Sequence, residues 1–449
     1  MANKVRIGEV VSLSQGFAVN SKSKHLMGDN GLPLLRITDL INGTEAQYLT
    51  EETAPEKCIA TEDEIIFTRT GQVGLVFRGR KGVVHNNCFK VIPNKQLLEP
   101  DYLYWFLKQP HIVKLANDIA SGSVQKDLNH SAFKSIEIDL LSLEEQVANT
   151  RILNLIEEKI QLNRKTNQTL EQMAQAVFKS WFVDFDPVID NALAAGNDIP
   201  DALQHKAEQR AIYKEKAQQL PGFAPLPDGL PQEMRTLFPS EFEQTGDPNI
   251  GIAGWIPKGW KVKTIGSMNK VNPESWTKKN APESVKYVDL ANAKNGTILG
   301  AADYTFEEAP SRARRVLRQH DIIIGVVRPA NRSFAYVNEN GLTGSTGFAV
   351  VRALNESYRA FTYLSLTNDD SITEFARIAD GAAYPAIKPE DVINAFCVYS
   401  SDEILKRFED LAGKFLLKKA ANEKQLKPLA EIRDSLLPKL ISGELQLQE

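Results

Sequence analysis

The sequence predicts an α+β fold built twice over: two pseudo-repeated, strand-rich domains joined by two long antiparallel coiled-coil helices. Three observations predict it. A series of short matches recurs in the same order 250–259 residues downstream. Two long segments carry apolar side chains at alternating steps of three and four, the seam of a coiled coil. The remaining chain is made of short apolar runs set off by Gly, Asn and Pro, which reads as strands and turns.

The repeat begins with Val5-Arg6-Ile7-Gly8, answered by Lys263-Thr264-Ile265-Gly266. Thr38-Asp39-Leu40 with Asn42-Gly43-Thr44 is answered by Val288-Asp289-Leu290 with Asn295-Gly296-Thr297. Glu64-Ile65-Ile66-Phe67 matches Asp321-Ile322-Ile323-Ile324, and Phe89-Lys90-Val91 matches Phe348-Ala349-Val350. Ile119-Ala120-Ser121-Gly122 then matches Ile378-Ala379-Asp380-Gly381. Each match is weak alone, but the shared order and spacing make a duplicated unit. Within the first unit, Tyr102, Leu103, Phe106 and Leu107 fall on one face of a helix over 100–107.

Each repeat closes on a helix of roughly 38 residues, about 57 Å at 1.5 Å per residue. The first seam runs Leu153, Ile156, Ile160, Asn163, Asn167, Leu170, Ala174, Val177, Trp181. The second runs Leu405, Phe408, Ala412, Phe415, Lys419, Asn422, Leu426, Leu429, Arg433, Leu436, Leu440. Asn163 and Asn422 hold the same repeat position, 259 apart, and an end-to-end antiparallel pairing sets them opposite one another. A polar layer of that kind costs stability and fixes register. Pro428 predicts a kink or break in the second helix. The resulting boundaries are a first domain at 1–142, a central helix at 143–185, a connector at 186–255, a second domain at 256–401 and a final helix at 402–441. The connector includes a helix at 201–219 and the Pro/Gly-rich "PGFAPLPDGLPQEM", suggesting a segment that wraps a surface or meets a partner.

At 449 residues, 42% hydrophobic and 24% charged, the chain has the make-up of a globular protein of two or more domains. No apolar run reaches the ~20 residues that cross a bilayer, and the first residues lack an apolar signal core, so a cytoplasmic protein is expected. Cys58, Cys88 and Cys397 are too far apart for metal-ligand spacing and read as free thiols. The net charge of −4 argues mildly against a small free-standing nucleic-acid binder. Even so, Arg312, Arg314, Arg315, Arg318, Arg328 and Arg332 cluster with one acid, Asp321, among them. The acids of "TEDEIIFTRTGQVGLV" could serve a metal-dependent nuclease, but only Glu64 keeps an acidic counterpart and no E-x-K strand follows either copy. Glu157-Glu158-Lys159 fits that pattern only on the heptad helix. Phosphate-loop, nucleophile-elbow and amino-methyltransferase signatures are lacking. No catalytic or metal residue is assigned.

What the repeats do carry is loops with binding chemistry. Arg69, Thr70 and Gln72 follow the first Ile-Ile strand, and Arg328, Asn331 and Arg332 the second. Gln125, Lys126 and Asn129 follow Ser121-Gly122; Tyr384, Pro385 and Lys388 hold the matched places after Asp380-Gly381. Arg and Asn/Gln make two-pronged contacts with guanine and adenine edges, while Lys and Thr suit phosphates. The nominated DNA-binding residues are therefore Arg69, Thr70, Gln72, Gln125, Lys126, Asn129, Arg328, Asn331, Arg332, Tyr384 and Lys388.

The chain resembles the specificity subunit of type I restriction-modification enzymes over nearly its whole length. The resemblance rests on "LPLLRITDLINGT", "DEIIFTRTGQVG", "SLEEQVANTRILNLIEEKIQLNRKTNQTLEQMAQAVFKSWFVDFDPV", "GWIPKGWKV" and "IRDSLLPKLISGEL". It implies two target-recognition domains, each reading one half of a split site in double-stranded DNA, and a helix pair that sets the spacer. Four residues added within 154–165 are then expected to lengthen the preferred spacer or abolish activity. The resemblance also implies two modification subunits that methylate with S-adenosylmethionine, and restriction subunits that use ATP and Mg²⁺, with no cofactor and no catalytic residue on this chain. Those partners would supply much of the phosphate-neutralising surface. The loops after the Ile-Ile strands do not align residue for residue, because Arg69 lies five beyond Glu64 and Arg328 seven beyond Asp321. The other reading is a bivalent adaptor that joins proteins through the same domains without reading DNA.

Overall fold

In the computed structural model the chain divides into two compact units, Met1–Asn163 with Lys424–Glu449, and Arg164–Glu423. The structure describes residues 3–21, 23–123, 125–219, 230–381 and 384–445.

In the first unit, Val11–Gln15, Cys88–Pro93, Ile65–Thr68 and Val76–Phe77 form one sheet in that order. Met27–Gly28, Tyr48–Leu49, Leu32–Leu35, Gly82–Val84 and Ile59–Ala60 form another, and Asn3–Arg6 pairs antiparallel with Glu137–Leu140. Successive side chains of a strand point to opposite faces. Ile65 and Phe67 accordingly enter the main core with Phe89, Trp105 and Phe133, while Ile66 enters a smaller one with Leu35, Val84 and Cys88. Both faces are covered, which is why the run is apolar throughout. Pro100 opens the helix Pro100–Lys108, where its missing N–H costs nothing. Tyr102, Leu103, Phe106 and Leu107 are buried on it as expected.

The second unit repeats this plan. Asn269–Val271, Phe348–Ala353, Ile322–Gly325 and Phe334–Tyr336 form one sheet, and Ala302–Thr305, Ser284–Val288, Leu342–Ser345 and Ala313–Leu317 another. Lys261–Thr264 pairs with Phe396–Tyr399, as Asn3–Arg6 pairs with Glu137–Leu140.

One sequence match is corrected by strand register. Phe67 pairs with Phe89, and its counterpart Ile324 pairs with Ala349. Phe89 therefore corresponds to Ala349, and Phe348 corresponds to Cys88. A slip of one residue moves a side chain to the other face of the sheet, and Phe348 does sit with Ile323 and Leu317 in the smaller core.

The long helices are Leu143–Phe178, continued by a π-helical turn at Lys179–Val183, and Asp402–Phe408, a π-helical turn at Glu409–Gly413, then Lys414–Ile441. Every described seam position is buried or half-buried. In the first unit, Asn149 Nδ2 donates to the Leu440 carbonyl (2.9 Å) and Arg433 Nη1 to Glu157 Oε2 (2.6 Å). In the second, Lys419 Nζ donates to Glu171 Oε2 (2.9 Å) and Asn422 Nδ2 to Asn167 Oδ1 (2.9 Å). Numbers fall along one helix as they rise along the other, so the pairing is antiparallel in each unit.

The expected Asn163–Asn422 layer is not what forms. Asn163 Nδ2 donates to Gln425 Oε1 at 3.2 Å, and Asn422 turns to Asn167. The register lies three or four residues, one helical turn, from the end-to-end alignment. Apolar pairs such as Leu153 with Leu437 and Leu440 share a core; burying them outweighs matching two amides. Nor does Pro428 end its helix: Lys414–Ile441 is continuous with both Pro428 and Pro438 inside it. Both prolines are exposed, so the carbonyls they leave without an N–H can bond to water, which keeps the cost low.

Residues 186–255 are more than a connector. Val188, Leu230, Phe238 and the neighbouring Phe185 and Ile256 lie in the second unit's main core. The helix expected at 201–219 is present as Asp201–Gln219 and packs Leu203 and Ala207 against Ile189 of Asp186–Ala195. Arg210 makes a two-pronged bond to Asp190 (3.2 and 2.6 Å) beneath them. Of the Pro/Gly-rich stretch at 221–234, residues 221–229 lie outside the described residues.

Candidate nucleic-acid interface

The loops singled out by sequence meet, within each unit, on the same backbone frame. In the first, Leu128 N–H donates to the Arg69 carbonyl (2.9 Å), Gly71 N–H to the Lys126 carbonyl (3.0 Å) and Asp127 N–H to the Ser121 carbonyl (2.7 Å). In the second, Ile387 N–H donates to the Val326 carbonyl (2.9 Å), Arg328 N–H to the Pro385 carbonyl (2.7 Å) and Ala386 N–H to the Asp380 carbonyl (2.8 Å). These bonds define the correspondence. Arg69 matches Val326, Gly71 matches Arg328, Gln125 matches Tyr384 and Asp127 matches Ala386. Arg69 and Arg328 are thus not equivalent readers; they occupy positions two residues apart on one frame.

In the first unit the nominated side chains separate into held and exposed ones. Arg69 Nη2 donates to Asp127 Oδ2 (2.6 Å) and Nη1 to Gln15 Oε1 (3.3 Å), and Thr70 Oγ1 donates to Asp127 Oδ1 (2.6 Å). Gln72, Gln125 and Lys126 are exposed, Lys126 with its Nζ on the Asn117 carbonyl (2.7 Å). Asn129 caps the helix His130–Lys134, its Oδ1 accepting from Ala132 N–H (2.9 Å).

In the second unit Arg328 and Tyr384 come together, the guanidinium carbon 4.7 Å from the ring centroid. Tyr384 is 71% exposed. Asn331 and Arg332 lie on the turn Pro329–Asn331 and just after it. The Asn331 carbonyl accepts from Lys294 Nζ (2.9 Å), while Arg332 bonds Asn295 Oδ1 (3.0 Å) and Asp369 Oδ1 (2.7 Å). Lys388 precedes the helix Pro389–Asn394 and gives its N–H to Asp391 Oδ2 (2.7 Å), leaving its side chain exposed.

The basic run from Arg312 to Arg332 is less free than its composition implies. Arg318 makes a two-pronged bond to Glu274 (2.8 and 2.6 Å), and Arg352 reaches both Glu274 and Asp321. Arg314 lies over the Phe306 ring (4.6 Å), and Arg315 Nη1 donates to Ser275 Oγ (3.2 Å). The repeated acids of the Ile-Ile strands are likewise engaged: Glu64 with Lys90 (2.9 Å) and Asp321 with Arg352 (2.7 Å). Arg318 and Arg352 together pull the Glu274 carboxyl from 4.5 down to about 2. A carboxyl so lowered supports the fold above its ordinary value and ceases to do so as pH falls through about 2. The Glu274 side-chain NMR resonance should titrate near 2, and Arg352→Ala should bring the midpoint back up; an unchanged midpoint in the variant would show that Arg318 alone holds it.

Sequence reasoning passed over Asp127 and Gln15. Asp127 carries the wrong sign for a search built on basic and amide side chains. Gln15 lies 54 residues before Arg69 on another strand, with no local signal.

Residues 2–172 match the family described as type I restriction modification DNA specificity domain. A relative spanning nearly the whole chain is the type I restriction enzyme MjaIX specificity subunit of Methanocaldococcus jannaschii, 26% identical, with 99% of this chain and 93% of the relative covered. The type I restriction enzyme HindI specificity subunit of Haemophilus influenzae is 24% identical over 81% of each chain. The crystal structure of a type I restriction-modification S subunit from M. genitalium shares the fold, with a TM-score of 0.53 at 14% identity, covering 98% of this chain and 95% of that one. A matching domain, two relatives aligned over most of their length and a shared fold agree: residues 2–172 match the type I restriction modification DNA specificity domain, and the chain as a whole is similar to the specificity subunits of type I restriction-modification enzymes.

Proposed function

We propose that this chain reads a split site in double-stranded DNA, one half with each recognition domain, and directs methylation and restriction carried out by partner subunits. One observation carries the reading. Both repeats build the same hydrogen-bonded loop frame and place different chemistry on it: Arg69, Gly71, Gln125 and Asp127 on one, Val326, Arg328, Tyr384 and Ala386 on the other. One scaffold with two sets of side chains suits a target whose halves differ in sequence.

Gln72 and Gln125 in the first domain, and Arg328 with Tyr384 in the second, are the side chains placed to meet base edges. Lys126 and Lys388 suit phosphates. Arg69, Thr70 and Arg332 act from fixed positions, Asn331 and Asn129 from turn and cap. The chemistry is assigned to partners: two modification subunits with S-adenosylmethionine, and restriction subunits with ATP and Mg²⁺. A chain of net charge −4 is compatible with this, since what counts is the local field over the groove-facing surface.

The test is the full chain bound to its modification subunit, offered a pool of randomised duplexes, followed by footprinting on the selected DNA. Two short protected patches separated by an unselected spacer are expected. Salt-sensitive binding with no selected sequence would replace this reading with the adaptor. Arg69→Ala should relax one patch only; an equal loss for all duplexes would make Arg69 a phosphate contact.

A further inference from the structure

We infer that Asp127 is a positioning residue that sets the Arg69 guanidinium and the Thr70 hydroxyl for base reading in the first half-site. The inference rests on the DNA-reading role proposed above and extends it to a residue of the opposite charge. A carboxylate is a poor neighbour for phosphates, and its presence in this loop requires a reason. Its two oxygens are divided between two partners, Oδ2 accepting from Arg69 Nη2 and Oδ1 from Thr70 Oγ1, each at 2.6 Å. The other end of the guanidinium meets Gln15 Oε1 at 3.3 Å, and the Gln15 amide is itself oriented by donating to the Asn86 carbonyl at 2.8 Å. Arg69 is thereby fixed at both amine ends while 22% of its side chain stays exposed, beside an Asp127 that is 38% exposed.

Holding the loop together does not explain the pair. The second repeat closes the same backbone frame with Val326 in place of Arg69 and Ala386 in place of Asp127. The frame therefore needs neither charge. What the pair adds is a guanidinium of fixed plane whose charge is locally cancelled. Such a group contributes little to sequence-independent attraction and much to orientation-dependent contacts.

The experiment uses the full chain with its modification subunit and a duplex selected by the wild-type complex from a randomised pool. Asp127→Ala copies the side chain that the second repeat already carries, and thermal denaturation confirms that the variant folds. Discrimination at the first half-site should fall roughly tenfold or more, with the second half-site unchanged. Affinity for a duplex lacking the site should hold or rise, and the slope of log affinity against log salt should steepen by about one, as the released Arg69 engages a phosphate. Asp127→Asn, which keeps one accepting oxygen, should retain part of the discrimination while showing the same steeper slope. Unchanged half-site preference in both variants would overturn the assignment. So would a uniform loss of affinity at unchanged slope, which marks a loop support. A wild-type complex with no preference at either half-site would instead remove the reading on which the assignment stands, and that result is read before any variant is made.

Discussion

Replacing Lys419 with alanine should lower the unfolding free energy of the second unit by about 3–5 kcal/mol, the range for removing one partner from a buried ion group. Lys419 lies on the seam with 7% of its side chain exposed. Its ammonium donates to Glu171 Oε2 (2.9 Å) and the Gly296 carbonyl (3.0 Å), with Glu423 at 3.9 Å. Glu423, 12% exposed, also accepts from Thr297 Oγ1 (2.7 Å) and Asn338 Nδ2 (2.5 Å), and Tyr363 donates to Glu171 Oε1 (3.0 Å). Without the ammonium, two carboxylates face each other with no counter-charge. The sign of the pH dependence follows. Burial raises the Glu423 carboxyl, with Lys419 opposing the rise. Its protonated form is favoured in the fold, and the variant's deficit should shrink as pH falls and grow as it rises. Denaturant unfolding of both proteins at neutral and mildly acidic pH checks this; a loss below about 1 kcal/mol at neutral pH would mean that water already solvates the cluster. Gly296 gives a second view of the same packing. At φ +86°, a Cβ there would come within 2.3 Å of the Tyr363 hydroxyl and 2.7 Å of the Lys419 ammonium.

Arg328→Gly should leave stability unchanged or raise it by up to about 1 kcal/mol, while reducing discrimination at the second half-site by about 1–3 kcal/mol. The two effects should part company because Arg328 sits at φ 50°, in the left-handed region that disfavours any residue with a Cβ. The first repeat places Gly71, at φ +83°, at the same point of the frame. A backbone suited to glycine has been given an arginine, whose guanidinium stacks against the exposed Tyr384 ring. Strain of this kind persists where the side chain is used. Denaturation and half-site competition on one preparation measure both quantities. A variant that is less stable yet equally discriminating would show that Arg328 supports the turn and reads nothing. Tyr384→Ala should weaken the same half-site by removing the surface that orients the guanidinium.

Much of the fold could be read from side-chain periodicity. The two seams follow heptad spacing, and burying an apolar stripe is a local demand that any partner helix satisfies. The repeated Ile-Ile strands were visible because a strand covered on both faces must be apolar throughout. The site was legible in part. Gln72, Gln125, Arg328 and Tyr384 do lie exposed on the paired loops, whereas Asn129 and Lys388 stand at the starts of short helices. Asp127 could not be found that way, because its partner Arg69 lies 58 residues away.

Alone, the sequence determined that this protein is a duplicated α+β chain with two long seamed helices and two loops of unlike chemistry. Those features arise from local spacing and from identities that recur along the chain. Only the tertiary structure decided the helix register, which apolar packing shifts by a turn from Asn163–Asn422. It also decided the one-residue strand slip that sets Phe348 against the smaller core, and the continuity of the last helix through two exposed prolines. Above all it decided what the loop arginines meet, Arg69 the Asp127 carboxylate and Arg328 the Tyr384 ring. Each of these is settled by contacts between residues far apart in the chain, where spacing along the sequence carries no information.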